Sequence, residues 1–146
     1  MGSIGYVGST GPGVSTSTNM QVNSLGVGVV ASGTTGEIRA TNAITSYYSD
    51  ERLKTNLGNI PNALDKLLTL DGFYYEANQL AQTLGYAVKR EVGISAQQVQ
   101  KVLPEVVTPA PIDSQYLTVY YERLVPLLIE AIKELKAEVD QLKGKN

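Results

Sequence analysis

Six apolar residues near the C-terminus limit what this chain can become more than any other feature. Val125, Leu128, Ile132, Leu135, Val139 and Leu142 are spaced 3, 4, 3, 4, 3. That is a heptad seam, with β-branched residues at the a positions and leucine at d. A helix over Tyr121 to Lys143 lines all six along one stripe and sets Glu130, Lys133, Glu134, Lys136, Glu138 and Asp140 on the flanks. Such a stripe either docks on its own domain or joins several chains. A heptad this regular at a chain end favours joining, so the expectation is a coiled coil over 121–146. Taken alone, this a/d choice leans towards two strands.

A second period points to three. Gly2, Gly5, Gly8 and Gly11 recur at every third residue, the collagen spacing in which only glycine fits beside the axis of three wound chains. Four triplets are too few to hold a triple helix alone, and a flexible Gly/Ser leader over 1–13 is the other reading. Residues 14–48 are polar and β-prone. Val22, Leu25, Val27, Val29 and Val30 suggest a strand or two, Gly33 and Gly36 bracket a turn, and Glu37 to Ile44 alternates weakly. One copy of such a segment buries little. Wound with two others it makes an intertwined β stalk, and this is the expectation for 14–48.

Composition breaks sharply at Ser49: the only charges before it are Glu37 and Arg39. Beyond it lies the pattern of a small α+β domain, over 49–120. Pro61 to Leu70 reads as a helix with Leu64, Leu67 and Leu68 on one face and Gly72 as its stop. Gly72 to Glu76 and Val92 to Ser95 read as strands, followed by a helix from Ala96 that ends before Pro104. Glu105 to Thr108 is short and β-branched, Pro109 and Pro111 close a loop, and Tyr116 to Val119 is the last strand. The predicted fold is therefore α+β and homotrimeric: β-rich stalk, compact domain, coiled-coil helix.

Several function classes are excluded or disfavoured. A formal net charge of −2 offers no basic field for nucleic acid. No run of 18 apolar residues crosses a membrane. Cysteine and histidine are both absent, which removes disulfides, thiolate metal sites and the commonest general base. No metal and no cofactor are expected. Acid–base chemistry near neutral pH then falls to a carboxylate, a tyrosine or a desolvated lysine.

Ser49 and Lys54 stand at the composition break, in Ser49-Asp50-Glu51-Arg52-Leu53-Lys54. A serine becomes nucleophilic when a base removes its proton, and a buried, neutral lysine is the usual substitute for histidine. On one continuous α-helix a five-residue spacing turns two side chains about 140° apart. The pair works only if Ser49 lies ahead of the helix. The bland alternative is Ser49 or Asp50 as an N-cap for a short helical turn, with a solvated lysine beyond it. Spacing alone favours that alternative.

The segment Ser49 to Asn56 resembles the start of the self-cleaving intramolecular chaperone domains of bacteriophage tail spikes and tail fibres, the endosialidase type. Myelin regulatory factor carries related domains. The likeness continues through Ala63 to Lys66, Val92 to Gln97, Val102 to Val107 and Tyr121 to Leu135, and so covers residues 49 to about 143. The resemblance implies a trimer that helps the fibre ahead of it fold and then cuts itself free. Carried over, the scissile bond is Tyr48–Ser49, Ser49 is the nucleophile and Lys54 the general base. The chemistry also needs donors on the oxyanion, either nearby backbone N–H groups or Arg52, and Asp50 either orients Lys54 or, as favoured here, caps the helical turn. The partners implied are two further copies and the upstream stalk. The mature stalk belongs to the virion tail fibre, and the chaperone domain acts in the host cytoplasm before release. Alternatives remain open: a trimerisation or receptor-binding tip that never cuts, or a DNA-binding regulator, which the acidic balance opposes. The pairs Tyr47-Tyr48, Tyr74-Tyr75 and Tyr120-Tyr121 suit either a sugar-binding surface or half-buried strand positions.

Overall fold

The computed structural model describes residues 22–45 and 48–144. Contacts divide the chain into two units, Met1–Thr55 and Asn56–Asn146, so the composition break at Ser49 falls inside the first. The glycine period at Gly2 to Gly11, and Tyr47, lie outside the described residues.

In the first unit, β1 (Leu25–Val27) and β2 (Ile38–Ala40) form a two-stranded parallel pair, with Leu25 opposite Ile38 and Val27 opposite Ala40. The strands are shorter than the apolar runs that predict them. Asn23 organises the connection. Its Nδ2 donates to Gly33 O at 3.0 Å, its Oδ1 accepts from Thr35 Oγ1 at 2.9 Å, and its carbonyl accepts from Gly36 N at 2.7 Å. The chain doubles back closely after β1: a Cβ on Gly26 would lie 2.1 Å from Val29 O, so only glycine fits there. Val27, Val30, Ile38 and Ile44 are exposed.

The second unit is built on α4 (Val125–Lys143), entered through the 3-10 turn Tyr121–Leu124. Pro126 sits in its first turn, where a missing N–H costs nothing, and its body is rich in strong helix formers. Leu127 and Ala131 of α4 pack with Ala63 of α1 (Ala63–Leu68) as the buried centre, lined by Ile60, Leu64, Leu67, Leu70 and Leu103. Val99 and Val106 are buried as well.

β3 (Gly72–Tyr75) pairs antiparallel with β4 (Glu91–Ile94). Between them lies α2 (Gln79–Thr83), capped by the Asn78 side chain, which accepts from Ala81 N at 2.9 Å. Ser95 caps α3 (Ala96–Val102) in the same way, ahead of Pro104. β5 (Val107–Ala110) and β6 (Asp113–Val119) form a second antiparallel pair with an irregularity between Pro109 and Ala110. The architecture is mixed α and β, as anticipated.

Four local expectations need correction. Helix α1 starts at Ala63, not Pro61, because Asn62 adopts a left-handed conformation (φ 51°) ahead of it. The C-terminal helix proper begins at Val125, its first four residues forming the 3-10 turn. Pro109 belongs to β5 rather than closing a loop. Tyr74 and Tyr75 stand on a strand but are exposed, not half-buried, as are Tyr48 and Tyr121.

Candidate functional site

Tyr48, Ser49 and Lys54 all lie on exposed backbone around one 3-10 turn, Glu51–Leu53. Ser49 precedes the helical residues, as a Ser–Lys pair at this spacing requires. Asp50 is the N-cap in extended conformation (φ −63°, ψ 124°), and its Oδ1 accepts from Arg52 N at 2.9 Å. The anticipated cap is thus Asp50. Backbone bonds from Leu53 N to Asp50 O (3.2 Å) and from Lys54 N to Glu51 O (3.0 Å) close the turn.

The Arg52 guanidinium lies across the same carboxylate. Nε donates to Oδ1 at 3.0 Å and to Oδ2 at 3.1 Å, and Nη2 to Oδ2 at 2.6 Å. This two-pronged, charge-assisted contact holds the Asp50 carboxyl below the usual carboxylate range. The Arg52 side chain contributes most, followed by the Arg52 main-chain N–H and the nearby Lys54 charge. The same contact raises Arg52. A guanidinium held this way has two of its nitrogens committed to Asp50.

Beyond the turn, Lys54 is again extended (φ −126°, ψ 138°), and its side chain folds back over the preceding residues. Nζ donates to the main-chain oxygen of Ser49 at 3.2 Å and sits 6.0 Å from the centroid of the Tyr48 ring. The structure therefore gathers Tyr48, Ser49 and Lys54 at one spot, with the amine on the Ser49 carbonyl rather than the hydroxyl.

Other polar constellations escaped the sequence reading. Tyr75 OH donates to Glu91 Oε2 at 2.7 Å, and Lys89 pairs with the other Glu91 oxygen at 2.6 Å. Both contacts lower Glu91, Lys89 foremost, while the bond to Glu91 chiefly raises Tyr75. The Arg90 guanidinium lies 3.9 Å from the centre of the Tyr74 ring. The alternation of aromatic and charged residues across the hairpin was the available signal, but it needs the β3–β4 register to be read. No group of three or more acidic, His or Cys side chains able to hold a metal occurs among the described residues. No helix among them is long and apolar enough to cross a membrane.

The described residues thus comprise an α+β unit with an exposed apolar stripe on its C-terminal helix, and a Ser-Asp-Glu-Arg-Leu-Lys turn earlier in the chain. Residues 49–108 match the family described as chaperone of endosialidase. The chain is also 42% identical over 99 residues to the long tail fiber protein Gp37 of Enterobacteria phage K3, a stretch covering 66% of this chain and 8% of that protein. To the protein of the same name in Enterobacteria phage M1 it is 39% identical over 97 residues, covering 65% of this chain and 38% of the relative. The chain thus corresponds to well under half the length of either relative.

Proposed function

We propose that this chain is part of a bacteriophage tail fibre, in which a homotrimeric chaperone domain promotes trimerisation and folding of the stalk ahead of it. The domain then releases itself by cutting Tyr48–Ser49. The observation that carries the cutting reaction is the return of Lys54 Nζ to Ser49 across the 51–53 turn, 3.2 Å from the Ser49 carbonyl oxygen. Assembly finds support in α4. Its docked face is Leu127 and Ala131, while Val125, Leu128, Ile132, Leu135 and Leu142 of the heptad seam remain exposed and Val139 is 36% exposed. An apolar stripe of that length calls for a partner, and three copies in a coiled coil supply one.

In the proposed reaction, Ser49 Oγ attacks the carbonyl carbon of Tyr48. Its proton passes to a neutral Lys54 amine and on to the departing Ser49 nitrogen, so the C–N bond breaks as the ester C–O bond forms. Water then hydrolyses the ester, leaving a Tyr48 carboxylate and a restored Ser49 hydroxyl. Backbone N–H groups hold the oxyanion. Trimer packing buries Lys54, favours its neutral form and fixes Tyr48 beside Ser49, which ties cutting to correct assembly. Loss of the clamp leaves a wound stalk held by its unfolding barrier. The stalk stays with the virion, and the chaperone domain works in the host cytoplasm.

Intact mass on freshly purified protein tests this, beside Ser49→Ala and Lys54→Ala. A fragment beginning at Ser49 in the wild type, absent from both variants, supports the dyad. One uncut mass in all three, from protein established as a trimer, removes it. That outcome leaves the second reading, a trimerisation module or fibre tip that never cuts. It is favoured by one observation: Lys54 donates to a main-chain oxygen instead of facing the hydroxyl.

A further inference from the structure

We infer that Asp50 and Arg52 act together as a positioning clamp that holds Lys54 over Ser49 during self-cleavage. This role rests on the Ser49–Lys54 reading above and adds two residues to it, neither of which touches the reacting atoms.

A single 3-10 turn has too few hydrogen bonds to persist by itself, and Glu51–Leu53 buries none of its residues. Side-chain burial therefore does not hold it. What spans it is the Asp50 carboxylate, which accepts from the Arg52 main chain at 2.9 Å and from the Arg52 guanidinium through two nitrogens, the shortest contact 2.6 Å. Cap and fork lock the turn from the outside. Lys54 is the first residue beyond it, and across this closed turn Nζ comes back to the Ser49 carbonyl oxygen. The pair is exposed, with Arg52 84% accessible and Asp50 39%, and exposed ion pairs add little to stability. Its effect is geometric. The chemistry explains the choice of side chains: arginine presents a rigid two-pronged donor to a carboxylate, and lysine only a point charge.

Cap and fork can be separated. Asp50→Asn keeps an acceptor for the Arg52 N–H but loses the charged fork. Arg52→Lys keeps the charge but loses the second prong, and Arg52→Ala removes the side chain while the cap survives. The experiment follows the rate of appearance of the Ser49 fragment in the full chain, for the wild type and these three variants, with mass and melting temperature measured on each. All three should cut about tenfold more slowly or worse, as expected when a reacting group is misplaced by a fraction of an ångström or more. Melting temperature and mass should match the wild type. Guanidinium ion at a non-denaturing concentration should restore part of the rate to Arg52→Ala, and none to Lys54→Ala; a merely structural role predicts no such rescue. Wild-type rates in Asp50→Asn and Arg52→Lys overturn the clamp and leave the dyad standing. A wild type that never cuts overturns the dyad, and the clamp with it.

Discussion

Glu134, on the C-terminal helix, closes the first turn of a helix 70 residues earlier in the chain: its Oε2 accepts from Leu64 N at 2.7 Å. Its Oε1 takes the adjacent Ala63 N at 2.9 Å. Asn62, the residue in the capping position, makes no side-chain bond of its own. Two orphan N–H groups of α1 are thus satisfied from α4, and the two helices are fastened by polar contacts as well as by Leu127 and Ala131.

Glu134→Gln should therefore lower the melting temperature by a few degrees at neutral pH. The bonds from Leu64 N, then Ala63 N, hold the Glu134 carboxyl below its ordinary value of 4.5, with the Lys66 charge adding to them. A carboxyl depressed in the folded state contributes stability above its unfolded pKa and loses that contribution as pH falls through the folded one. The gap between wild type and variant should be constant from neutral pH down to about 5.5, then close below 4.5. Thermal melts across that range check it.

The two faces of α4 predict opposite phenotypes. Leu127 is fully buried, so Leu127→Ala should cost about 2–5 kcal/mol in domain stability. Ile132 is 63% exposed, so Ile132→Lys should leave the fold of the single domain intact and break the proposed assembly. Circular dichroism and solution mass on both variants separate the effects. A trimeric Ile132→Lys would count against the seam.

Gly93 of β4 lies close beneath two tyrosines. A Cβ there would lie 3.0 Å from Tyr75 Cε1 and 3.2 Å from Tyr121 Oη, and the Tyr121 hydroxyl also accepts from Ile94 N at 3.3 Å. Gly93→Ala should cost about 1–3 kcal/mol by overpacking. The penalty should shrink in a Tyr121→Phe background, where one of the two obstacles is gone. Denaturant titrations of the four proteins give the coupling.

Lys54→Arg isolates the base from the cation. Arginine keeps a positive charge near the Tyr48 ring and a donor for the Ser49 carbonyl, but it does not give up a proton at working pH. The variant should fold and assemble normally and produce no Ser49 fragment on intact-mass analysis. Cutting by Lys54→Arg would assign the proton transfer elsewhere.

Local chemistry was legible in the sequence wherever a single residue decides it. Ser95 and Pro104 bracket α3, and Asp50 caps its turn because a short acceptor in that place has one nearby donor to satisfy. The heptad pattern located α4 and singled out the stripe that the domain leaves open. Features set by distant partners were hidden. The start of α1 is fixed by Glu134, which reads in sequence as a solvated flanking charge. Helix α2 has no apolar period to announce it, and Pro109 sits in a strand that has a partner on one side only, a place open to proline that sequence cannot tell from a loop. At the candidate site, motif and order were readable. The acceptor of the Lys54 amine was not, because a rotamer chooses between a carbonyl and a hydroxyl on the same residue.

The separation of the two apolar stripes on α4, about a quarter-turn apart, bears on reaction order. The Leu127 face finds its partners within one chain, so that step runs at the same speed at any dilution. In the proposed assembly, the copies that cover the Ile132 face arrive by diffusion. Refolding should resolve into a first-order phase that completes each domain and a later phase that accelerates with protein concentration. A crowded site of synthesis, where neighbouring copies emerge side by side, would then hasten the second phase without touching the first.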